Sequence, residues 1–272
     1  MCFWGTGHQK IAEIFKTECI IVEPGIGYPH TSSFADFKVF ESYAIMHYNY
    51  GQSNTTNGSW YDCVIPNYFD VKDFEYCEQK EDYFLYLGRI TPIKGINIII
   101  DLAKKIGFHL KIAGQGTMEN LGIDLNELSN HKNIEFVGFA DVNLRKKLMS
   151  KAKALILPTF YIEPFGGVIV ESMLSGTPVI TSDWGAFSEI VIHGHNGYRC
   201  RNMDQFSWAI KNIDKIRPID CYIYALNNYS LERVKLMYEE YFDMLLKAKF
   251  NEGFYYINNE RKELDWLSKK II

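Results

Sequence analysis

The sequence lacks any run of about 18 apolar residues, the length that a membrane-spanning helix requires. Its N-terminus, MCFWGTGHQK, also lacks the basic start and the apolar stretch of a secretory signal. These two absences predict a protein that is neither secreted nor inserted in a membrane. We therefore expect a cytoplasmic location, with peripheral attachment to a membrane as the alternative.

Positive charge is not concentrated anywhere in the sequence. The 29 basic and 33 acidic residues are spread along 272 positions and give a formal net charge of −4. A surface that binds nucleic acid usually carries a basic patch or stripe. The aromatic residues, 15% of the chain, are scattered through apolar segments, which is typical of a core and not of a base-stacking surface. Nucleic acid is therefore not an expected partner.

The six cysteines include no C-x-x-C pair and no spacing typical of metal ligands, so we expect free thiols in a reducing compartment. His193 and His195 could be taken for a metal-ligand pair, but they occupy a Gly/Asn turn without a neighbouring carboxylate cluster. A D-x-D motif is absent as well. The sequence therefore predicts no metal site and no cofactor.

From Tyr83 onward, short apolar runs alternate with helical patterns. The predicted strands are 83–87, 109–113, 133–137, 154–158 and 178–180, and helices are predicted near 95–106, 118–129, 141–151, from about 167, and near 186–191. Apolar strands without polar alternation, separated by helices, are typical of parallel strands that are covered on both faces. The predicted fold class is therefore α/β, with a doubly wound, Rossmann-like parallel sheet.

The two ends of the chain differ from this central part. Residues 1–80 predict one or two β/α units followed by a polar loop, with a boundary near 66–82. The C-terminal part predicts helices near 203–213, 230–249 and 256–270. The predicted organisation is an N-terminal α/β region (1–80), a ligand-binding domain (81–240) and a C-terminal helical tail (241–272).

The loop that follows the first strand of the central domain carries two cations. Its sequence, GRITPIKG at 88–95, places Arg89 and Lys94 where ligands bind in open parallel sheets, beyond the carboxyl ends of the strands. An arginine fork and a lysine ammonium together can bind a diphosphate. A solvated pair of surface charges is the alternative interpretation.

The turn after the second strand is GQG, in which Gly114 and Gly116 would let the backbone approach a ligand closely. The third glycine of a dinucleotide-binding fingerprint is missing, because residue 119 is Glu. A nicotinamide cofactor is therefore not supported.

The most informative turn follows the fourth strand, with the sequence TFYIEPFGGVIVESMLSG. Glu163 precedes a Pro-Phe-Gly-Gly turn, and Glu171 lies on the helix that this turn opens. The first N–H groups of a helix have no partner within the helix and can bind phosphate oxygens or sugar hydroxyls. Carboxylates accept hydrogen bonds from hydroxyls. The alternative is that Glu171 interacts with the helix dipole and that Glu163 is an ordinary loop acid.

These segments together resemble a known enzyme family. The motifs are LGR-x4-K-G at 87–95, GQG at 114–116, VGF at 137–139, EPFGGVIVE at 163–171 and SGTPVI at 175–180. In this order they resemble the retaining glycosyltransferases of family 4, which have the GT-B fold. The resemblance covers roughly residues 81–240 and includes the family's E-x7-E spacing between Glu163 and Glu171.

The resemblance implies a role for each matching residue. Arg89 and Lys94 would bind the diphosphate of a UDP- or GDP-type sugar donor, and Glu163 would contact the sugar, so these three are the implied catalytic residues. Glu171 would bind the ribose. The implied donor-binding residues are Gly88, Gly114, Val137, Gly138, Phe139, Phe165, Gly166, Gly167 and Glu171.

Residues 1–80 depart from the family, in which a full N-terminal domain with an acceptor-side histidine faces the donor domain. They resemble the last part of such a domain and the hinge, so the predicted fold is a GT-B C-terminal domain with a partial N-terminal α/β domain. His8 and His47 are the candidate acceptor-side histidines, although a lone histidine is usually structural. A second copy of the chain or a complementary N-terminal chain is a predicted partner.

The hypothesis that these features favour is a glycosyltransferase that moves a sugar, with retention, to a hydroxyl of a glycan, lipid or other acceptor. A non-catalytic nucleotide-sugar-binding subunit, or a truncated pseudoenzyme that needs a partner chain, is the alternative. A third hypothesis is a phosphorylase or an epimerase, because one fold serves several functions.

Overall fold

The computed structural model describes residues 1–118, 121–123, 128, 130–249 and 264. Its strands are β1 (Val22–Ile26), β2 (Phe37–Phe40), β3 (Cys63–Val64), β4 (Phe84–Leu87), β5 (Leu110–Ala113), β6 (Ile134–Gly138), β7 (Ala154–Leu157), β8 (Val179–Ser182) and β9 (Gly197–Cys200). Its helices are α1 (Gln9–Phe15), α2 (Tyr43–Gln52), α3 (Ile96–Ile106), α4 (Val142–Lys151), α5 (Gly167–Leu174), α6 (Phe187–Ile190), α7 (Met203–Asn212), α8 (Pro218–Tyr229) and α9 (Leu231–Lys249).

The chain forms two compact units. Unit 1 contains Met1–Tyr68, Glu163–Phe165 and the residues from Asn228 onward, and unit 2 contains Phe69–Ile162 and Gly166–Asn227. This division differs from the predicted domains 1–80, 81–240 and 241–272. Residues 228–249 cluster with unit 1, and three residues of the 158–166 connection also belong to unit 1. Most of the tail predicted at 241–272 lies outside the described residues.

Unit 2 is built on one six-stranded parallel sheet with the order β6-β5-β4-β7-β8-β9. Strands β4 and β7 are buried at every position, because their sequences FLYL and ALIL contain no charged residue and helices cover both faces of such sheets. The strand order reverses between β4 and β7, and α/β sheets bind ligands beyond the carboxyl ends at this kind of switch point. The predicted doubly wound α/β fold class is confirmed.

Helix α3 illustrates how the sequence fixes the packing of unit 2. Its apolar residues recur at helical spacing, so one stripe faces the core. The stripe ends where Gly107 adopts a left-handed conformation (φ 85°) and terminates the helix. The buried residues of α3 are Ile96, Ile99, Ile100, Leu102 and Ala103.

Unit 1 contains a three-stranded parallel sheet in the order β1-β2-β3. Helix α9 supplies Val234, Met237, Tyr241 and Leu245 to its core. The Tyr241 hydroxyl donates a hydrogen bond to the Tyr61 carbonyl at 2.8 Å. The helix that the sequence predicts near 230–249 is therefore present and stabilises unit 1.

A buried carboxylate organises the connections of unit 1. Glu23 on β1 is fully buried, and a buried charge is tolerated only when hydrogen bonds satisfy it. Its donors are the N–H groups of Gly5, Phe34 and Ala35 and the hydroxyls of Tyr28 and Ser33. These hydrogen bonds attach the first residues of the chain and the β1–β2 connection to strand β1.

Several elements differ from the sequence prediction. Strand β9 and helix α8 were not predicted, and residues 1–80 contain three short strands where one or two β/α units were expected. The helix predicted near 118–129 lies mostly outside the described residues, and so does the one near 256–270. In the described part of the chain, no helix has both the length and the apolar character of a membrane span.

Candidate functional site

The loops that follow β4 and β7 are held together at the switch point of unit 2. The Phe160 N–H and the Thr159 hydroxyl both donate to the Ile93 carbonyl, at 2.9 and 3.0 Å. The Tyr86 hydroxyl donates to the Arg89 carbonyl at 2.8 Å. These bonds fix the backbone of the loop that carries the two predicted cations.

Arg89 and Lys94 lie on this loop as the sequence predicts. The Arg89 side chain is exposed, and no carboxylate among the described residues forms an ion pair with it. Lys94 is half-buried, with its Nζ 4.8 Å from the centroid of the Tyr161 ring, a cation–π distance. Two cations on one fixed loop beyond β4 can bind a diphosphate.

Gly114 brings the end of β5 against the start of the same loop. Its φ is 151°, and a Cβ added here would lie 1.7 Å from the Gly88 carbonyl oxygen. The Gly114 N–H donates to the Gly138 carbonyl at 2.9 Å, so the ends of β4, β5 and β6 meet at this residue. Only glycine fits this position.

Because of this close approach, substitutions at two glycines of unit 2 should destabilise the protein to different extents. Gly107 also has a positive φ of 85°, but no atom lies within 4 Å of an added Cβ. We expect Gly114→Ala to lower the free energy of unfolding by about 1–3 kcal/mol more than Gly107→Ala, because only the first substitution adds overpacking to backbone strain. Chemical denaturation of both variants measures the difference, and equal losses would mean that the Gly88 contact is unimportant.

Three of the predicted donor-binding residues, Val137, Gly138 and Phe139, lie at the end of β6 or directly after it. Val137 and Gly138 are half-buried, and Phe139, immediately after the strand, is 67% exposed. Gly138 is linked to β5 through the Gly114 hydrogen bond. The structure therefore places this predicted segment at the same carboxyl edge of the sheet as the two cations.

The start of α5 provides unpaired N–H groups. Gly166, the N-cap, is left-handed (φ 79°, ψ 52°), and no side chain caps this end among the described residues. An added Cβ at Gly166 would lie 2.5 Å from the Phe187 ring, so the turn requires glycine. The first amides of α5, including that of Gly167, can therefore bind an anion with the help of the helix dipole.

The residues before this turn are anchored in unit 1. The Pro164 carbonyl accepts a hydrogen bond from the Ser42 hydroxyl, which also caps α2 by accepting from the Ile45 N–H at 3.2 Å. The Phe165 ring, 2% exposed, packs edge-on against Tyr229 with centroids 5.7 Å apart. The side chain of Phe165 thus belongs to the core of unit 1, and its predicted role in donor binding stays a prediction.

Glu163 is half-buried and belongs to unit 1, whereas Glu171 lies on α5 of unit 2. Glu171 forms an ion pair with Arg145 of α4. Burial raises the pKa of the Glu171 carboxyl above its usual range, and the Arg145 guanidinium offsets part of that rise. Sequence reasoning missed Arg145, because no motif or local spacing connects it to Glu171, 26 residues away.

The two candidate acceptor-side histidines belong to unit 1. His8 and His47 are both exposed in unit 1; the His8 Nδ1 lies 2.6 Å from the Trp4 carbonyl oxygen, and the His47 ring neighbours that of Tyr43. Neither histidine has a contact in the described structure that indicates an acceptor site. Their role on the acceptor side therefore stays a prediction.

His193 and His195, which could be taken for a metal-ligand pair in the sequence, have other contacts in the structure. His193 accepts a hydrogen bond from the Arg199 N–H at 3.1 Å, and His195 packs against Tyr224. The described residues contain no group of three His, Cys, Asp or Glu side chains that could hold a metal ion. All six cysteines are free thiols.

Unit 2 therefore brings most of the predicted site to the carboxyl side of its sheet. The residues placed there are Gly88, Arg89, Lys94, Gly114, Val137, Gly138, Phe139, Gly166, Gly167 and Glu171. His8, His47, Glu163 and Phe165 belong to unit 1.

The chain is similar to known glycosyltransferases. The chain is 35% identical over 143 residues to an uncharacterized glycosyltransferase of Methanocaldococcus jannaschii, a match that covers 50% of the chain and 36% of that protein. It is 35% identical over 176 residues to an O-antigen chain mannosyltransferase of Salmonella typhimurium, covering 61% of the chain and 47% of that protein. The matched region thus spans less than half the length of these two curated relatives.

The fold also matches a solved structure. A crystal structure of Anabaena HepE in complex with UDP and glucose superposes with a TM-score of 0.70 over 84% of the chain and 73% of that protein, at 18% identity. The GT-B glycosyltransferase fold expected from the motifs is confirmed. The family model for glycosyl transferases group 1 matches residues 70–218. Since this is more than half of the chain, the chain belongs to the group 1 glycosyl transferases.

Proposed function

We propose that the chain transfers a sugar from a nucleoside diphosphate sugar to an acceptor hydroxyl, with retention at the anomeric carbon. The observation that carries this proposal is the position of Arg89, Lys94 and the N-terminal amides of α5. They follow β4 and β7, the adjacent strands at the switch point of the sheet. Positive charge at this place suits a diphosphate.

The relatives support the substrate class. The Salmonella relative is named a mannosyltransferase, and the HepE structure contains UDP and glucose. A UDP- or GDP-type sugar is therefore the proposed donor. The proposed acceptor is a hydroxyl of a glycan or a lipid, with His8 and His47 as the candidate residues on the acceptor side.

The proposed chemistry depends on stabilisation of the leaving group. As the bond from the anomeric carbon to the diphosphate breaks, negative charge grows on the diphosphate. Fixed cations and helix dipoles placed at that charge lower the barrier, because they need no reorganisation during the reaction. Arg89, Lys94 and the amides of Gly166 and Gly167 would serve this purpose.

The two glutamates would serve different parts of the donor. Glu163 would accept hydrogen bonds from the sugar hydroxyls, close to the bond that breaks. Glu171 would accept a hydrogen bond from the ribose, which does not change in the reaction. Retention is supported only by the resemblance of the 163–171 segment to retaining enzymes.

A second function is a nucleotide-sugar-binding subunit without activity of its own. It is favoured by the small sheet of unit 1, which has three strands against six in unit 2. Such a subunit would need a second polypeptide, either another protein or a second copy of the chain, for turnover.

Release of nucleoside diphosphate separates the two functions. We expect the purified chain, incubated with UDP- and GDP-sugars and a panel of hydroxyl acceptors, to release nucleotide from one donor class. The same donor should raise Tm, because a ligand that binds only the folded state stabilises it. A raised Tm without any release would favour the binding subunit. If no donor raises Tm and none releases nucleotide, both functions are contradicted.

A further inference from the structure

The ion pair between Arg145 and Glu171 uses only part of each side chain. The Arg145 Nη2 donates to the Glu171 Oε2, and Oε1 of Glu171 has no hydrogen-bond donor within the described part of the chain. The Glu171 side chain is 17% exposed and that of Arg145 is 41% exposed. One carboxylate oxygen therefore remains available to a ligand.

The pair is not needed to hold α4 in place. Asp141 caps this helix by accepting a hydrogen bond from the Leu144 N–H at 2.8 Å, and Leu148 and Met149 are buried beneath it. Arg145, one turn before Leu148 and Met149 on the same helix, is half-buried. The contact with Glu171 is thus an addition to a helix that is already anchored.

The Arg145–Glu171 pair affects the ionisation of the Glu171 carboxyl group. Burial favours the protonated form of this carboxyl group, and a protonated group loses acceptor capacity. The nearby guanidinium favours the ionised form and restricts the rotation of the side chain. A carboxylate that is held through one oxygen is suited to accept a hydrogen bond from a neutral donor through the other.

We propose that Arg145 is a positioning residue for nucleotide recognition, which holds Glu171 through Oε2 so that Oε1 accepts a hydrogen bond from one ribose hydroxyl of the donor. This inference rests on the proposed function, because it assumes a nucleoside diphosphate at the carboxyl edge of unit 2. Arg145 acts through Glu171 and does not itself contact the reacting atoms.

The test compares ribose and deoxyribose ligands by calorimetry. UDP and GDP are titrated first, followed by the 2′-deoxy and 3′-deoxy forms of the one that binds. In the parent, loss of the recognised hydroxyl should weaken binding about tenfold, as expected for a hydrogen bond to a charged acceptor. Arg145→Ala should weaken binding of the ribonucleotide by a similar factor and leave the affinity for that deoxy form unchanged.

Two further variants separate positioning from a general structural effect. Arg145→Lys should restore most of the discrimination, because the contact uses a single nitrogen. Lys147→Ala, which removes an exposed charge from the same helix, should behave like the parent. If Arg145→Ala does not fold, Arg145→Met removes the charge while keeping most of the volume, and the same comparison applies.

The outcomes are distinct. If Arg145→Ala weakens the ribonucleotide and both deoxy forms by the same factor, or weakens none, Arg145 does not position Glu171 for the ribose, although donor binding stands. If the parent binds both deoxy forms as well as the ribonucleotide, the ribose contact itself is wrong. If neither UDP nor GDP binds the parent, the proposed function and this inference fail together.

Discussion

Glu163→Gln is expected to lower kcat for sugar transfer by about 100-fold, the effect typical of one preorganised electrostatic contact, with a smaller change in the donor KM. The reason is that Glu163 would contact the sugar that changes during the reaction. An interaction that strengthens in the transition state affects kcat, whereas one that is equal in both states affects KM. Glutamine keeps the shape of the side chain, so the fold should be retained.

Glu171→Gln is the matched control for this prediction. It makes the same substitution at the second glutamate of the E-x7-E segment. This glutamate would contact the ribose, which does not change in the reaction. It should mainly raise the donor KM, with some loss of stability because the Arg145 pair is broken. Steady-state kinetics with the correct donor measure both variants. If both change only KM and to the same extent, the catalytic role of Glu163 has to be withdrawn.

Arg89→Ala and Lys94→Ala are each expected to weaken binding of the nucleoside diphosphate by about 1.5–3 kcal/mol, because each removes a charge-assisted hydrogen bond. The loss should be specific for the phosphates, so binding of the free nucleoside should change little. Lys105→Ala is a suitable control, since this exposed lysine lies in the last turn of α3, away from the loop.

Calorimetry with UDP, GDP and the corresponding nucleosides measures these losses. Arg89→Ala should unfold at a temperature close to that of the parent, because Arg89 is exposed and its loop backbone is fixed by other residues. Lys94→Ala also removes the contact with the Tyr161 ring and should unfold at a somewhat lower temperature. Affinities for UDP and GDP equal to those of the parent in both variants would place the diphosphate elsewhere.

The sheet of unit 2 was predictable because its strands are short apolar runs separated by helices. YFLYL, HLKIA, NIEFV and ALILP each contain the observed strand or most of it. Strand β9 escaped prediction because GYRC has no apolar run and contains an arginine. Helix α8 was missed because its sequence, PIDCYIYALNNY, is rich in residues of modest helix propensity, namely Ile, Tyr, Cys and Asn.

The site was predictable to the extent that it depends on turns at strand ends. Arg89, Lys94 and the Gly166–Gly167 turn follow directly from where strands stop and helices start. The contacts between segments that are distant in the sequence could not be predicted. Ser42 and Pro164 are 122 residues apart, and the pairing of Arg145 with Glu171 depends on how α4 packs beside α5. Such contacts are set by tertiary packing, on which local sequence patterns carry no information.

A crystal structure of the chain with the tighter-binding nucleotide, UDP or GDP, tests the central claim most directly. The account predicts phosphate oxygens within hydrogen-bonding distance of Arg89, Lys94 and the amides of Gly166 and Gly167, with the ribose at Glu171. A nucleotide bound elsewhere on the chain, or with its phosphates away from these four residues, would contradict it.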